Sequence, residues 1–340
     1  MTTFWASIFV FGLLIFFHEL GHFLAAKRAD IKVEEFAIGM GPKVFSKQKG
    51  ETLYSFRLLP LGGFIKMAGM EPDDINNERG FSRKTVLQRM VVIASGSLMN
   101  FVLAAVLFAI VFAFIGVPIS TTQVGNVLEG RPAYEAGLQK GDIIKEVNGE
   151  QVTSWQQLVA KIHANPNQEV NLKILRDQET FNVTLVPELE PKEGIGLIGI
   201  ESSGVKWETK GIFESLYLAV KQTVQLTALI LMALGQMVTG QMAADVVGPV
   251  GIVQEIGNHA RVGVPYLLNL AAIISINLGL INLLPIPALD GSRLVFLLVE
   301  AIRRKPLAPE KENFVHLIGF ALLIFLIIVV TYKDISRIFG

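Results

Sequence analysis

Cysteine is absent from all 340 residues. That excludes disulfides and thiolate metal ligands, leaves histidine and carboxylate to hold any metal ion, and removes the usual clue to redox compartment. Net charge is absent too, with 30 Lys and Arg against 30 Asp and Glu, so no overall field points to nucleic acid or to an acidic substrate. Charge of either sign is scarce: 18% of residues are charged and 51% are hydrophobic, which is unlike an ordinary soluble chain of this length. What is abundant is apolar sequence gathered into long runs, and a lipid bilayer is the environment such runs imply.

Four runs approach the roughly 20 residues that cross a bilayer as a helix: 4–26, 91–117, 266–284 and 314–332. The first lies almost at the N-terminus but lacks a basic leader and a small-residue cleavage site, so it reads as a span. After the third, Pro285 and Pro287 break the helix, and a shorter apolar helix is expected at 293–302. The stretch 212–234 is apolar yet carries Lys221, Gln222, Thr223, Gln225 and Thr227, and reads as amphipathic and interfacial.

Basic residues set the orientation. Lys and Arg crowd the segment 27–89 and recur at 303–305, which places both on the cytoplasmic side and both termini outside. A crossing at 212–234 would reverse the third span and carry 303–305 outward, which favours the interfacial reading. Between the second and third spans, β-rich runs at 170–175 and 181–186 alternate with a helical stretch at 155–163. Turn signals stand at Asn148-Gly149 and Asn165-Pro166, so this is a small α+β domain. The expected plan is 1–120 with two spans, 121–204 as the α+β domain, 205–264 as the interfacial segment, and 265–340 with the last two spans.

The first span contains His18-Glu19-Leu20-Gly21-His22. On a helix, positions i and i+4 share a face about 6 Å apart, so both imidazoles reach one metal ion, and Glu19 lies close enough to act as general base on a water. Three ionisable groups in five positions inside a span are costly, so function is the default reading. At about 1.5 Å per residue the motif lies about 6–12 Å from the cytoplasmic end of the span. A catalytic zinc takes three protein ligands and one open position. Asp290, in Leu283-Leu284-Pro285-Ile286-Pro287-Ala288-Leu289-Asp290-Gly291, is the best third ligand, because opened backbone at membrane depth survives only where protein or a wet cavity covers it. The alternative is an Asp that caps the helix following it.

These residues resemble the site-2 protease family of intramembrane zinc metalloproteases, and most closely its bacterial branch that includes regulators of sigma-E. The family pairs His-Glu-x-x-His in the first span with Leu-Asp-Gly in the third, here residues 18–22 and 289–291. Further matches are 35–42, 60–67 and the series Asn282, Pro285, Pro287. Gly96-Ser97 stands where the family often has Gly-Pro, and Ser292 where a second Gly is common. The resemblance covers nearly the whole chain and implies a polytopic α-helical membrane protein with four transmembrane helices, a membrane-associated β element and an extracytoplasmic α+β PDZ domain, in the bacterial inner (plasma) membrane. It implies an edge strand from 53–57 and 63–67, with Gly62, Gly63, Phe64 and Ile65 meeting an unwound substrate. It also implies that Asn282 binds substrate backbone, a helix–helix hydrogen bond being the other role open to it.

The α+β domain resembles a PDZ domain through 131–138, 140–144 and 147–149. Gly196, Leu197, Ile198, Gly199 and Ile200 resemble the loop that takes a protein C-terminus, or they simply link the domain to the next helix. The implied cofactor is one Zn²⁺ per chain and the implied substrates are single-pass membrane proteins, such as anti-sigma factors or signal-peptide remnants, with the PDZ domain gating them or binding a terminus. Two other classes make different demands. A non-catalytic receptor or tether with a structural metal needs a fourth ligand, and a metal transporter needs polar sites stacked along the spans. His163, His259 and His316 lie outside the apolar cores or at their edges.

Overall fold

The computed structural model describes residues 1–70, 74, 77–191, 193–203, 205–242, 247–305 and 309–339; the expected domain end at Gly204 lies outside them. Two compact units emerge, one formed by 1–113 with 211–340 and the other by 114–210.

The first unit begins with helix α1 (Thr2–Arg28), whose largely apolar sequence is interrupted by His18, Glu19 and His22 and ends in Lys27 and Arg28, cations that complement the negative end of the helix dipole. Strands β1 (Val33–Lys49) and β2 (Thr52–Met67) follow, both long enough to bend and pair more than once. Ala37 is in register with Ser55 on one side and with Phe64 on the other, while Lys47 pairs with Tyr54. Residues 33–38 are thus an inner strand, and 63–67 form an edge with one described neighbour. Phe36 holds this sheet against α1, meeting Phe16 and Phe23 edge-on at 6.0 and 5.5 Å between ring centres.

Helix α2 (Val86–Phe114) packs on α1 at close range. A Cβ on Gly96 would stand 2.2 Å from His22 Nε2, so glycine there leaves room for the imidazole ring, and a Cβ on Gly21 would stand 2.2 Å from the Ser95 carbonyl oxygen, so glycine there lets the two helices approach. The second unit follows α2 in the chain.

It holds β3 (Val117–Ser120), β4 (Val124–Val127), α3 (Pro132–Glu135), β5 (Ile143–Val147), β6 (Glu150–Gln151), α4 (Trp155–His163), β7 (Val170–Arg176), β8 (Glu179–Leu185), β9 (Glu188–Glu190), β10 (Ile195–Leu197), β11 (Ile200–Ser202) and β12 (Val205–Glu208). A four-stranded sheet in the order β6-β5-β7-β8 covers a core of Val124, Leu138, Ile144, Leu158, Ile162, Leu172, Ile174 and Ile198. Asn148 and Gly149 both have positive φ, as a two-residue hairpin between β5 and β6 requires. Ser154 caps α4 by accepting from Gln157 N–H. β3 and β12 pair, so the chain enters and leaves this unit side by side.

The first unit resumes with α5 (Ile212–Val238), α6 (Pro249–Val262), α7 (Val264–Leu283), α8 (Asp290–Arg303) and α9 (Pro309–Phe339). Among the described residues five helices, α1, α2, α5, α7 and α9, are long and apolar enough to cross a membrane; α5 coincides with the stretch expected to lie in the interface. Two of the polar residues of α5 are satisfied within the helix: Thr223 and Thr227 donate to the carbonyls of Ala219 and Thr223, one turn back, at 2.8 and 2.7 Å. Pro249 and Val250 lie beside Phe11 and Ile15, and Gly257 lies against Thr3, so α6 runs opposite to α1 and returns the chain before α7 sets out. Ser275 on α7 donates to the carbonyl of Asn100 on α2 at 2.8 Å, and Gly279 lies against Ser97, so α7 is antiparallel to α2 and parallel to α1.

Candidate metal centre

Helical spacing puts His18 and His22 on one face of α1, and the break after α7 delivers Asp290 to the same point. The two Nε2 atoms are 3.2 Å apart, and each is 3.2 Å from Asp290 Oδ2. Among the described residues this is the group of His and carboxylate side chains disposed to hold a metal ion. Points 3.2 Å apart are corners of a tetrahedron whose centre lies roughly 2.0 Å from each, the length of a zinc–nitrogen or zinc–oxygen bond.

The environment fits a cation as well as the spacing does. His22 Nδ1 lies 2.8 Å from Val92 carbonyl oxygen, so it carries the proton and leaves a lone pair on Nε2. Asp290 Oδ2 is buried with no hydrogen-bond donor. Without a cation, lone pairs and a carboxylate oxygen would face one another at contact distance, an arrangement that burial makes costly. Helix α8 has no side-chain cap bond at its start, so the helix-capping alternative for Asp290 is not the one adopted.

The other expected site residues fall in three places. A Cβ on Gly63 would lie 3.1 Å from Glu19 Cγ and 2.9 Å from Ile15, so the edge strand presses its backbone onto the turn of α1 that carries Glu19. Gly62 has φ +83° and abuts Met40, Phe64 lies under the Arg57 guanidinium at 4.7 Å, and Ile65 packs against the cluster of Ala26, Ile31, Val33, Met67 and Val92. Asn282 is half-buried in the last turn of α7. In the second unit, Ile198 is buried in the core. The carbonyls of Ile198 and Gly199 accept from Ala133 and Leu128 N–H, while their own N–H groups have no acceptor among the described residues.

The model of peptidase family M50 matches residues 6–326. The chain belongs to peptidase family M50. Its relatives include the regulator of sigma-W protease of Bacillus subtilis, 38% identical over 98% of both chains, and a zinc metalloprotease of Geobacillus kaustophilus, 37% identical over 98% of this chain and 97% of the other. A putative zinc metalloprotease of Clostridium acetobutylicum is 41% identical over 97% of this chain and 96% of the other. Among solved structures, the PDZ domain of an SdrC-like protein from Listeria innocua is 26% identical, covering 26% of this chain and 100% of that one, with a TM-score of 0.23. This M50 peptidase is therefore a zinc metalloprotease of the site-2 type, and the reading as a non-catalytic tether gives way.

Three features of the M50 site escaped the sequence reading. The Asn100 amide nitrogen lies 3.3 Å from His18 Nδ1 while Asn100 Oδ1 is buried without a partner; exchanging the two amide atoms would let the oxygen accept Nδ1–H and leave the Nε2 lone pair facing the centre. A single Asn inside an otherwise apolar run was the available signal. Arg89 and Glu300 make a two-pronged ion pair at 3.0 and 2.5 Å, tying α2 to the helix that carries Asp290. Finally, Ala288 N–H donates to His316 at 3.2 Å, and Gly319 lies against Pro287. Helix α9 thus braces the loop in which Ala288 holds a strained φ of +77°.

Proposed function

We propose that His18, His22 and Asp290 hold one zinc ion and that Glu19 is the general base for cleaving transmembrane segments of single-pass membrane proteins. The observation that carries this reading is the 3.2 Å triangle of ligand atoms with Glu19 directly under a strand edge. Bound zinc would polarise the scissile carbonyl and acidify a water toward a pKa of about 7. Glu19 takes the proton of the attacking water and returns it to the departing amine. Val92 and Asn100 hold the imidazoles in the tautomer that faces inward. A helical substrate keeps its amides bonded internally and must be unwound, and the backbone of Gly62, Gly63, Phe64 and Ile65 supplies replacement bonds to the extended chain. Asn282, eight residues before Asp290, reaches for the same substrate backbone.

The B. subtilis relative is named for sigma-W regulation, and the substrate proposed here is a membrane-embedded anti-sigma factor already shortened by another protease. The basic loop between α1 and α2 lies in the cytoplasm, the centre in the inner leaflet and the α+β unit outside. That unit acts as a PDZ domain that gates bulky substrates or takes a C-terminus, supported by the unengaged N–H groups of Ile198 and Gly199 within the loop 196–200.

The deciding experiment is Glu19→Gln in proteoliposomes with a single-span substrate. Zinc stays near one per chain while cleavage drops by roughly 10²- to 10⁴-fold, the usual cost of losing a general base. Normal cleavage by this variant would remove Glu19 from the mechanism.

A further inference from the structure

One apolar cavity borders the centre without belonging to it. Phe11 and Ile15 of α1 and Pro249, Val250 and Val253 of α6 line a half-open groove of about 460 Å³, within the roughly 300–1,000 Å³ of pockets that take small ligands. Its place on α1 gives it meaning. Positions 11, 15, 18 and 22 follow one another at i, i+4, i+7 and i+11, so Phe11 and Ile15 continue the face that carries His18 and His22. Ile15 stands about 4.5 Å along the axis from His18 and Phe11 about 10 Å. Ile15 also touches the strand edge, since a Cβ on Gly63 would be 2.9 Å from its Cγ2. The cavity, the strand edge and the metal ligands therefore meet around one residue.

We infer that this cavity is a specificity subsite receiving one large apolar side chain of the cleaved segment. The inference rests on the protease reading above. A substrate paired with the edge strand advances about 3.3 Å per residue, so the side chain that enters belongs to a residue about two to three positions from the scissile bond. A bilayer is as apolar as the cavity, so transfer out of water contributes little to the choice. Selection comes from fit: a Leu or Phe side chain makes dispersion contacts that Ala leaves unmade, and a wall residue of the wrong size excludes it. Helix α6 supplies Pro249, Val250 and Val253 to the lining and none of the proposed metal ligands, so the preference can be altered apart from the chemistry.

Two arms test this. In the first, single-span substrates carrying Ala, Leu or Trp at each position within three residues of the cut are compared in proteoliposomes. Wild type favours Leu over Ala several-fold at one position; Val253→Phe reverses that ratio by about tenfold or more, and Val250→Ala raises acceptance of Trp there. Unchanged ratios in both variants, at full zinc content, overturn the subsite and leave the cavity to lipid chains. In the second arm, the natural absence of cysteine makes Val253→Cys in a Glu19→Gln background a unique thiol. Disulfide crosslinking to substrates with single cysteines should peak at that same position. Crosslinks at no position, or equally at all, overturn the subsite even when wild type cleaves normally. A wild type that cleaves nothing while the crosslink still peaks at one position defeats the protease reading and leaves the binding site standing.

Discussion

At the scale of single residues, the proposed centre depends on atoms outside its ligand set. Asn100 is fully buried in α2 and its partner is His18 Nδ1, so its contribution is to orient a ligand. Asn100→Ala should weaken zinc binding by about 10- to 100-fold, the usual effect of losing such a partner, measured by chelator competition, with the helical content retained. A second residue-scale prediction concerns Glu35, whose carboxylate meets Ser55, Arg57 and Lys43 at 2.7, 2.8 and 3.3 Å. Burial alone would raise its pKa, but these three partners outweigh it and hold the group below its ordinary value of 4.5. A carboxyl depressed in the folded state stabilises the sheet above its unfolded pKa and loses that contribution as pH falls through the folded value. Hydrogen exchange of the 53–57 amides should therefore speed up on going from neutral pH to below about 4, beyond the intrinsic pH effect, and Glu35→Gln should abolish the excess.

At the scale of elements, the question is how α8 presents Asp290. Arg89 and Glu300 are each about one-seventh exposed, and Arg89 Nε is buried with no acceptor. Removing one partner strands the other charge, a loss of up to about 3–5 kcal/mol when burial is complete and less here. Arg89→Glu should lower both thermal stability and zinc retention, and the exchanged pair Arg89→Glu with Glu300→Arg should recover much of each. Failure of the exchanged pair to recover either would mean the ion pair is incidental to α8. Helix α6 is held in an analogous way: Asp334 on α9 accepts from Gly248 and Gly251 N–H at 3.1 and 2.8 Å, which satisfies two donors at the start of the helix.

At the scale of the molecule, the sequence expects α5 to lie in the interface, while its length and composition also suit a crossing. Single cysteines introduced by Glu150→Cys, Gln241→Cys and Arg304→Cys separate the possibilities, because no native thiol competes. If α5 crosses, position 241 should react from the same side as 304 and opposite to 150. If α5 lies in the interface, 241 should react with 150. Reaction of 304 and 150 from one side would overturn the parallel course of α1 and α7 within the membrane.

The sequence by itself determined the chemistry of this protein. Metal-ligand spacing on one helix is a local property, fixed by 3.6 residues per turn, and a carboxylate after two helix-breaking prolines marks itself in the same way. The hairpin turn at Asn148-Gly149, the limits of α4 and the apolar runs are equally local and were legible. What only the tertiary structure decided is whatever depends on a partner far along the chain. Asn100 reads as an isolated polar residue until His18, 82 positions earlier, stands beside it. Arg89 reads as a cytoplasmic charge until Glu300, 211 positions later, pairs with it. The placement of α6 belongs with these, because N–H groups at its start are met by Asp334, 83 positions after Gly251.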